Sequence, residues 1–189
     1  RTERPLLYWK KAPPDRRSAG GGFVDSDYWK RAYQNTWSAS SAREDRLARW
    51  LERITGRKAE RSGLGAGTDD FISGSAKANG YSMGDADLHI VGTDIYVEVT
   101  GPLSKFVSAD EPLWFRPDKF DNAVENAGKG HDTFFVHHCP AKDLRRVVHI
   151  DRETAQRYLH RAFPVVTPTI RGRKERYVEV QANDRCVRP

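Results

Sequence analysis

The chain has 189 residues, enough for one domain with a core of its own and too few for two large ones. Charged residues make up 31%, yet 5 Trp, 7 Tyr and 8 Phe exclude a generally disordered polymer. Net charge is +6, which favours an acidic partner such as nucleic acid, and no apolar run approaches the roughly 18 residues of a membrane span.

Residues 1–38 read as a basic, aromatic-rich N-terminal extension, irregular over 1–24, where Pro13-Pro14 and Gly20–Gly22 break any periodicity. It interleaves Lys10, Lys11, Arg16, Arg17, Lys30 and Arg31 with Trp9, Tyr28 and Trp29, a mix suited to phosphate contact and base stacking or to packing on the domain. Residues 39–189 form the single domain. A helix is predicted over 39–56, with Ser40 or Ser41 as N-cap, a capping box from Ser41 to Glu44, and Leu47, Leu51 and Ile54 as its apolar face. A strand over 57–62 and a loop at Gly63–Gly67 follow.

Asp87–Val91 and Asp94–Thr100 are predicted as the two strands of a hairpin, with Gly92-Thr93 as a type II′ turn. A helix is predicted at about 117–128, with Pro117 near its first turn and Gly128 beyond its end. Buried strands at 133–137 and 146–150, and a helix from an Asp151 cap to about 161, come next. A hairpin of 165–170 with 176–181 closes the chain around Arg171, Arg173 and Lys174, a basic tip able to clamp a nucleic-acid backbone. This order gives an α/β (α+β) fold with a central mixed sheet flanked by helices.

Charge is unevenly spread. Residues 66–100 hold one Lys against Asp69, Asp70, Asp85, Asp87, Asp94 and Glu98, between two basic ends. That distribution suits an enzyme that holds divalent metal while acting on a polyanion, and equally an exposed acidic loop with basic tails. In the hairpin register set by a 92–93 turn, Asp87 lies opposite Glu98 and Asp85 opposite Thr100. Directly opposed carboxylates about 5 Å apart repel each other unless a cation joins them. Alternation puts Tyr96, Glu98 and Thr100 on one face and Ile95, Val97 and Val99 on the other. Glu44 shares the spacing of Leu47 and Leu51, so it runs along the buried stripe of the first helix, as a third acid or as part of the capping box.

A helix bearing Glu44, then Asp87, then a strand with Glu98-Val99-Thr100, then a further helix and strand, resembles the PD-(D/E)XK nuclease superfamily over about residues 40–138. The resemblance implies a restriction-endonuclease-like fold and Mg²⁺-dependent hydrolysis of phosphodiester bonds, with Mn²⁺ as a substitute. It implies Asp87 and Glu98 as metal-binding carboxylates, the Val99 carbonyl as a further ligand, and Glu44 as the helix acid. The family's Lys two residues after the second carboxylate is replaced by Thr100. Lys105 and Lys119 are candidates to supply that charge, with Lys119 preferred because helices after this strand face the site in the family. The implied partner is DNA, with RNA left open, cut by a restriction-like or repair-like enzyme, and a homodimer follows by analogy. The alternatives are a non-catalytic nucleic-acid-binding protein that keeps the fold, and a protein-interaction module.

His137, His138, Cys139 and His149 raise zinc, but neighbours on a strand point to opposite faces and cannot easily share an ion. Cys139 and Cys186 make no disulfide framework, and no secretory leader pattern opens the chain, so a cytoplasmic protein is expected.

Overall fold

A computed structural model describes residues 26–63, 85–101, 108–170 and 173–188. In chain order the elements are α1 (Ser26–Thr55), β1 (Ala59–Arg61), β2 (Leu88–Ile90), β3 (Ile95–Thr100), β4 (Leu113–Phe115), α2 (Pro117–Gly128), β5 (Asp132–Cys139), a 3₁₀ turn (Pro140–Lys142), β6 (Leu144–Ile150), α3 (Arg152–Leu159), β7 (Val165–Val166), β8 (Thr169–Ile170), β9 (Arg173–Lys174), β10 (Tyr177–Val180) and β11 (Val187–Arg188).

The main sheet has the order β1-β2-β3-β5-β6-β11. Its one parallel pair is β3 with β5, and every other pair is antiparallel. A parallel pair needs a long crossover, and the segment holding β4 and α2 provides it. Strand alternation then sorts the side chains into two cores. Val97 and Val99 of β3 join Leu88, Ile90 and Val136 under Leu47 and Leu51 of α1. On the opposite face, Phe135, Val148 and Ile150 pack against Phe120, Ala123 and Val124 of α2 and Ala155 of α3. Phe120 is fully buried, with its ring edge-on to Phe135 at 5.1 Å and to Phe115 at 5.9 Å. Burial of a side chain of this size contributes about 1.5–3 kcal/mol. A second sheet, β4-β10-β7, adds Leu113, Phe115, Val178 and Val180 to this second core.

The mixed α/β architecture with a central mixed sheet flanked by helices agrees with the sequence reading. Four local expectations do not. First, α1 begins at Ser26, not near 39, so Ser40 and Ser41 lie inside it and the Ser41–Glu44 capping box does not form. Residues 26–39 contain neither Gly nor Pro, so nothing interrupts the helix there. Second, Ile54 is 59% exposed, because the buried apolar stripe of α1 ends at Leu51.

Third, the hairpin between β2 and β3 is not closed by a two-residue turn, and Val91 does not pair with Asp94. The Thr93 N–H donates to Ile90 O at 3.1 Å, which places Gly92, at φ +75°, third in the turn. Thr93 Oγ1 donates to the same oxygen at 2.7 Å, and this side chain is what fixes the wider loop. The register survives: Leu88 pairs with Val97 and His89 with Tyr96, as expected. Fourth, β4 and β11 carry no strand signal of their own, being two or three residues long. The closing hairpin does form. β7 with β10 and β8 with β9 keep one register, interrupted by residues 167–168 and 175–176.

Candidate functional site

The register of β2 and β3 decides where the acids go. Leu88 and Val97 point into the α1 core, so Asp87 and Glu98, each one position away, point to the face covered by α2. Asp87 sits just before β2, and its Oδ2 accepts the Val99 N–H at 2.7 Å, which ties the segment before β2 to β3. The backbone of residues 85–87 is held from β1's side too. Ser62 N–H donates to Asp87 O at 3.0 Å, and Ser62 Oγ donates to Ala86 O at 2.8 Å. A Cβ on Gly63 would stand 2.7 Å from Ala86 O, so only glycine lets the chain pass this close.

Pro117 opens α2 and leaves Lys119 in its first turn. Lys119 Nζ lies 2.7 Å from Glu98 Oε2 and 4.0 Å from Asp87 Oδ1, and it donates to Asp85 O at 2.9 Å. The three side chains are only 8–17% exposed. Of the two lysines considered for the place left by Thr100, Lys119 is therefore beside the carboxylates. Lys105 lies outside the described residues. Thr100 is partly buried at the end of β3, where it pairs with His137.

Burial, and next to it the Asp87 carboxylate, push the Glu98 carboxyl up to about 8, against the opposing pull of Lys119. Burial works against the Lys119 ammonium, but Glu98 and Asp87 outweigh it and hold its pKa above the ordinary value. A second cation stands nearby. Arg43, on α1, donates from its guanidinium to Gly101 O, and Asp87, Glu44 and Glu98 all act on its charge. Gly101 itself has φ +121°, and a Cβ there would lie 2.6 Å from His138 O. This close approach of β3's end to β5, rather than strand termination alone, is what requires glycine.

Glu44 is 5% exposed, so it does lie on the buried stripe of α1. Like Asp87 and Glu98, it acts on the charge of Arg43. Arg61 NH2 stands 3.8 Å from Glu44 Oε2. Among the described residues, no group of three or more His, Cys, Asp and Glu side chains is arranged to hold a metal. The donor set gathered around Lys119 is Asp87 and Glu98 with the Asp85 carbonyl. That set fits Mg²⁺, which keeps several waters and takes one or two carboxylates, and does not fit a four-ligand zinc centre. The histidines considered for zinc have other surroundings. His137 Nδ1 faces Arg146 NH2 at 3.3 Å, and His149 Nε2 faces Asp132 Oδ1 at 2.9 Å.

No family model matches the chain, and neither the curated proteins nor the solved structures yield a match.

Lys30 and Arg31 fall on α1, but their side chains lie outside the described residues, as do Lys10, Lys11, Arg16, Arg17 and Arg171. Arg173 is on β9 and Lys174 is exposed beside it. Among the described residues, no helix is long and apolar enough to cross a membrane.

Three neighbours of the site were not anticipated from the sequence: Arg43, Asn122 and Asn126. Asn122 and Asn126 follow Lys119 three and seven residues on, so the signal was a polar stripe beside the apolar stripe of α2. Arg43 had no signal beyond its place next to Glu44.

Proposed function

We propose that this chain is a metal-dependent endonuclease with a restriction-endonuclease-like core, hydrolysing DNA phosphodiester bonds. The observation that carries the reading is the convergence of Asp87, Glu98 and Lys119, from the segment before β2, from β3 and from α2, with one ammonium within 4.0 Å of both carboxylates. The element order supports it: α1, three antiparallel strands, α2, then a strand parallel to β3.

Asp87 and Glu98, with the Val99 carbonyl, would hold Mg²⁺ in this reading. The chemistry that the ion would supply there is polarisation of a phosphoryl oxygen and a lowered pKa for a coordinated water. Lys119 supplies the positive charge that Thr100 cannot, offsetting charge that develops on the phosphate. Asp87 is oriented for its task by the Val99 N–H, which occupies Oδ2 and leaves Oδ1 turned to the site. The basic residues Arg173 and Lys174 contact the DNA backbone, and a homodimer presents two centres to opposite strands.

The test uses end-labelled linear duplex and single-stranded oligonucleotides with Mg²⁺ or Mn²⁺. Cleavage leaving 5′-phosphate and 3′-hydroxyl ends, abolished in Asp87→Ala, is the expected result. Retention of intact DNA in a salt-sensitive gel shift, without cleavage by wild type, would instead identify a nucleic-acid-binding protein.

A further inference from the structure

We infer that Asn122 and Asn126 are positioning residues that hold Lys119 on Glu98, acting through Asp85. The inference rests on the reading of Asp87, Glu98 and Lys119 as a catalytic centre.

The observation is a chain of side-chain hydrogen bonds along one face of α2. Asn126 Nδ2 donates to Thr133 Oγ1 on β5 at 3.2 Å and to Asn122 Oδ1 at 3.3 Å. Asn122 Nδ2 donates in turn to Asp85 Oδ1 at 3.4 Å. The backbone carbonyl of that same Asp85 accepts Lys119 Nζ at 2.9 Å. Asn126 donates both ways, back to Thr133 on the sheet and on to Asn122, and Asn122 donates onward to Asp85, so the two amide orientations are mutually fixed.

The residue choice is informative. Asn126 is 8% exposed, in a helix whose other buried residues are Phe120, Ala123 and Val124. A buried amide is a poor core filler and is tolerated only where its hydrogen bonds are made. Thr133, 1% exposed, anchors the chain to β5, an interior strand of the sheet. From there the chain reaches the segment that carries Asp87. The position of Lys119 is therefore referred to the rigid sheet and not only to the first turn of its own helix. Asp85 fits this role better than that of a ligand, since its carboxylate is engaged by Asn122 and its carbonyl by Lys119.

The experiment reads the Lys119 ammonium directly. In the full chain labelled with ¹⁵N-lysine, the Lys119 amine signal is assigned by its loss in Lys119→Arg. In wild type its proton exchange with water should be slow, as for a sequestered ammonium. Asn126→Leu and Asn122→Ala should each speed that exchange at least tenfold. If both substituted chains stay folded and the Lys119 exchange is unchanged, the relay is refuted. Asn122 is partly exposed, so Asn122→Ala decides the matter should Asn126→Leu fail to fold. Cleavage kinetics give the second readout: kcat should fall about tenfold with KM within twofold of wild type, whereas a merely structural role would lower the folded fraction and leave kcat per folded molecule unchanged. Should wild type cleave nothing, the exchange measurement still tests the relay, and the failure belongs to the catalytic reading alone.

Discussion

Replacing Lys119 with Met removes the ammonium and keeps most of the side-chain volume. Glu98 and Asp87 are then left 8% and 13% exposed with their shared cation gone. Removing one partner of a buried ion pair costs about 3–5 kcal/mol when the other stays charged. Glu98 has an escape, because its carboxyl already titrates at about 8 with Lys119 present and must titrate higher without it. Each unit of further rise corresponds to about 1.4 kcal/mol of stability that is lost once the pH exceeds both values. At pH 6, Glu98 takes a proton in both chains and the substitution costs about 1–2 kcal/mol, chiefly the hydrogen bond to Asp85 O. At pH 9 the cost grows to about 3–5 kcal/mol. Urea unfolding of both chains at the two pH values, in EDTA, measures the difference. Adding Mg²⁺ at pH 9 should restore part of the loss, since the ion takes the place of the missing charge. Equal costs at pH 6 and pH 9, or a cost below about 1 kcal/mol at pH 9, would refute the assignment of Lys119 as the neutralising partner of Glu98.

The raised carboxyl of Glu98 also sets two pH dependences. Between the ordinary carboxyl range and about 8 the folded metal-free chain holds one proton more than the unfolded chain, so this group's contribution to stability is full below that window and declines as pH rises through it. Calorimetry should also show Mg²⁺ affinity rising with pH up to about 8, with proton release on binding below that value, and a flat profile in Glu98→Gln. Gly101→Ala places a Cβ 2.6 Å from His138 O at φ +121°, and should cost about 3 kcal/mol or more in urea unfolding, since both strain and clash fall on paired backbone. Asp184 accepts two Arg157 N–H groups at 2.8 and 2.6 Å, which hold its carboxyl below the usual carboxylate range. Asp184→Asn should cost about 1–3 kcal/mol near neutral pH, a penalty that shrinks as pH falls through the ordinary carboxyl range, seen as converging melting temperatures.

The sequence was most legible where period and chemistry agreed. Pro117 and the residues that follow it place α2, although Gly128, read as lying beyond its end, is its last residue, and the alternation Ile95, Val97, Val99 against Tyr96, Glu98, Thr100 fixes both faces of β3. Asp87 and Glu98 came out on one face because alternation constrains register more strongly than turn type does. The turn itself was misread, since Thr93 Oγ1 forms a loop bond that no dipeptide rule anticipates. The start of α1 was misread because a plausible cap sequence at Ser41 competes with an unbroken run of helix-tolerant residues before it. Lys119 was legible only as one of two candidates, for the crossover that returns α2 over Glu98 is a tertiary fact. Asn122 and Asn126 were legible only as a polar stripe on α2. Their donors acquire meaning only through Thr133 and Asp85, which are distant in sequence from each other.

The most direct test of the account is nicking of supercoiled plasmid in Mg²⁺, comparing wild type with Glu98→Gln and Lys119→Met in matched, folded preparations. The expected result is Mg²⁺-dependent relaxation and linearisation by wild type, a loss of at least a hundredfold in Glu98→Gln, and a smaller but clear loss in Lys119→Met. Plasmid left intact by wild type, or cut equally by all three chains, would contradict the claim that these residues form a metal-dependent phosphodiesterase centre.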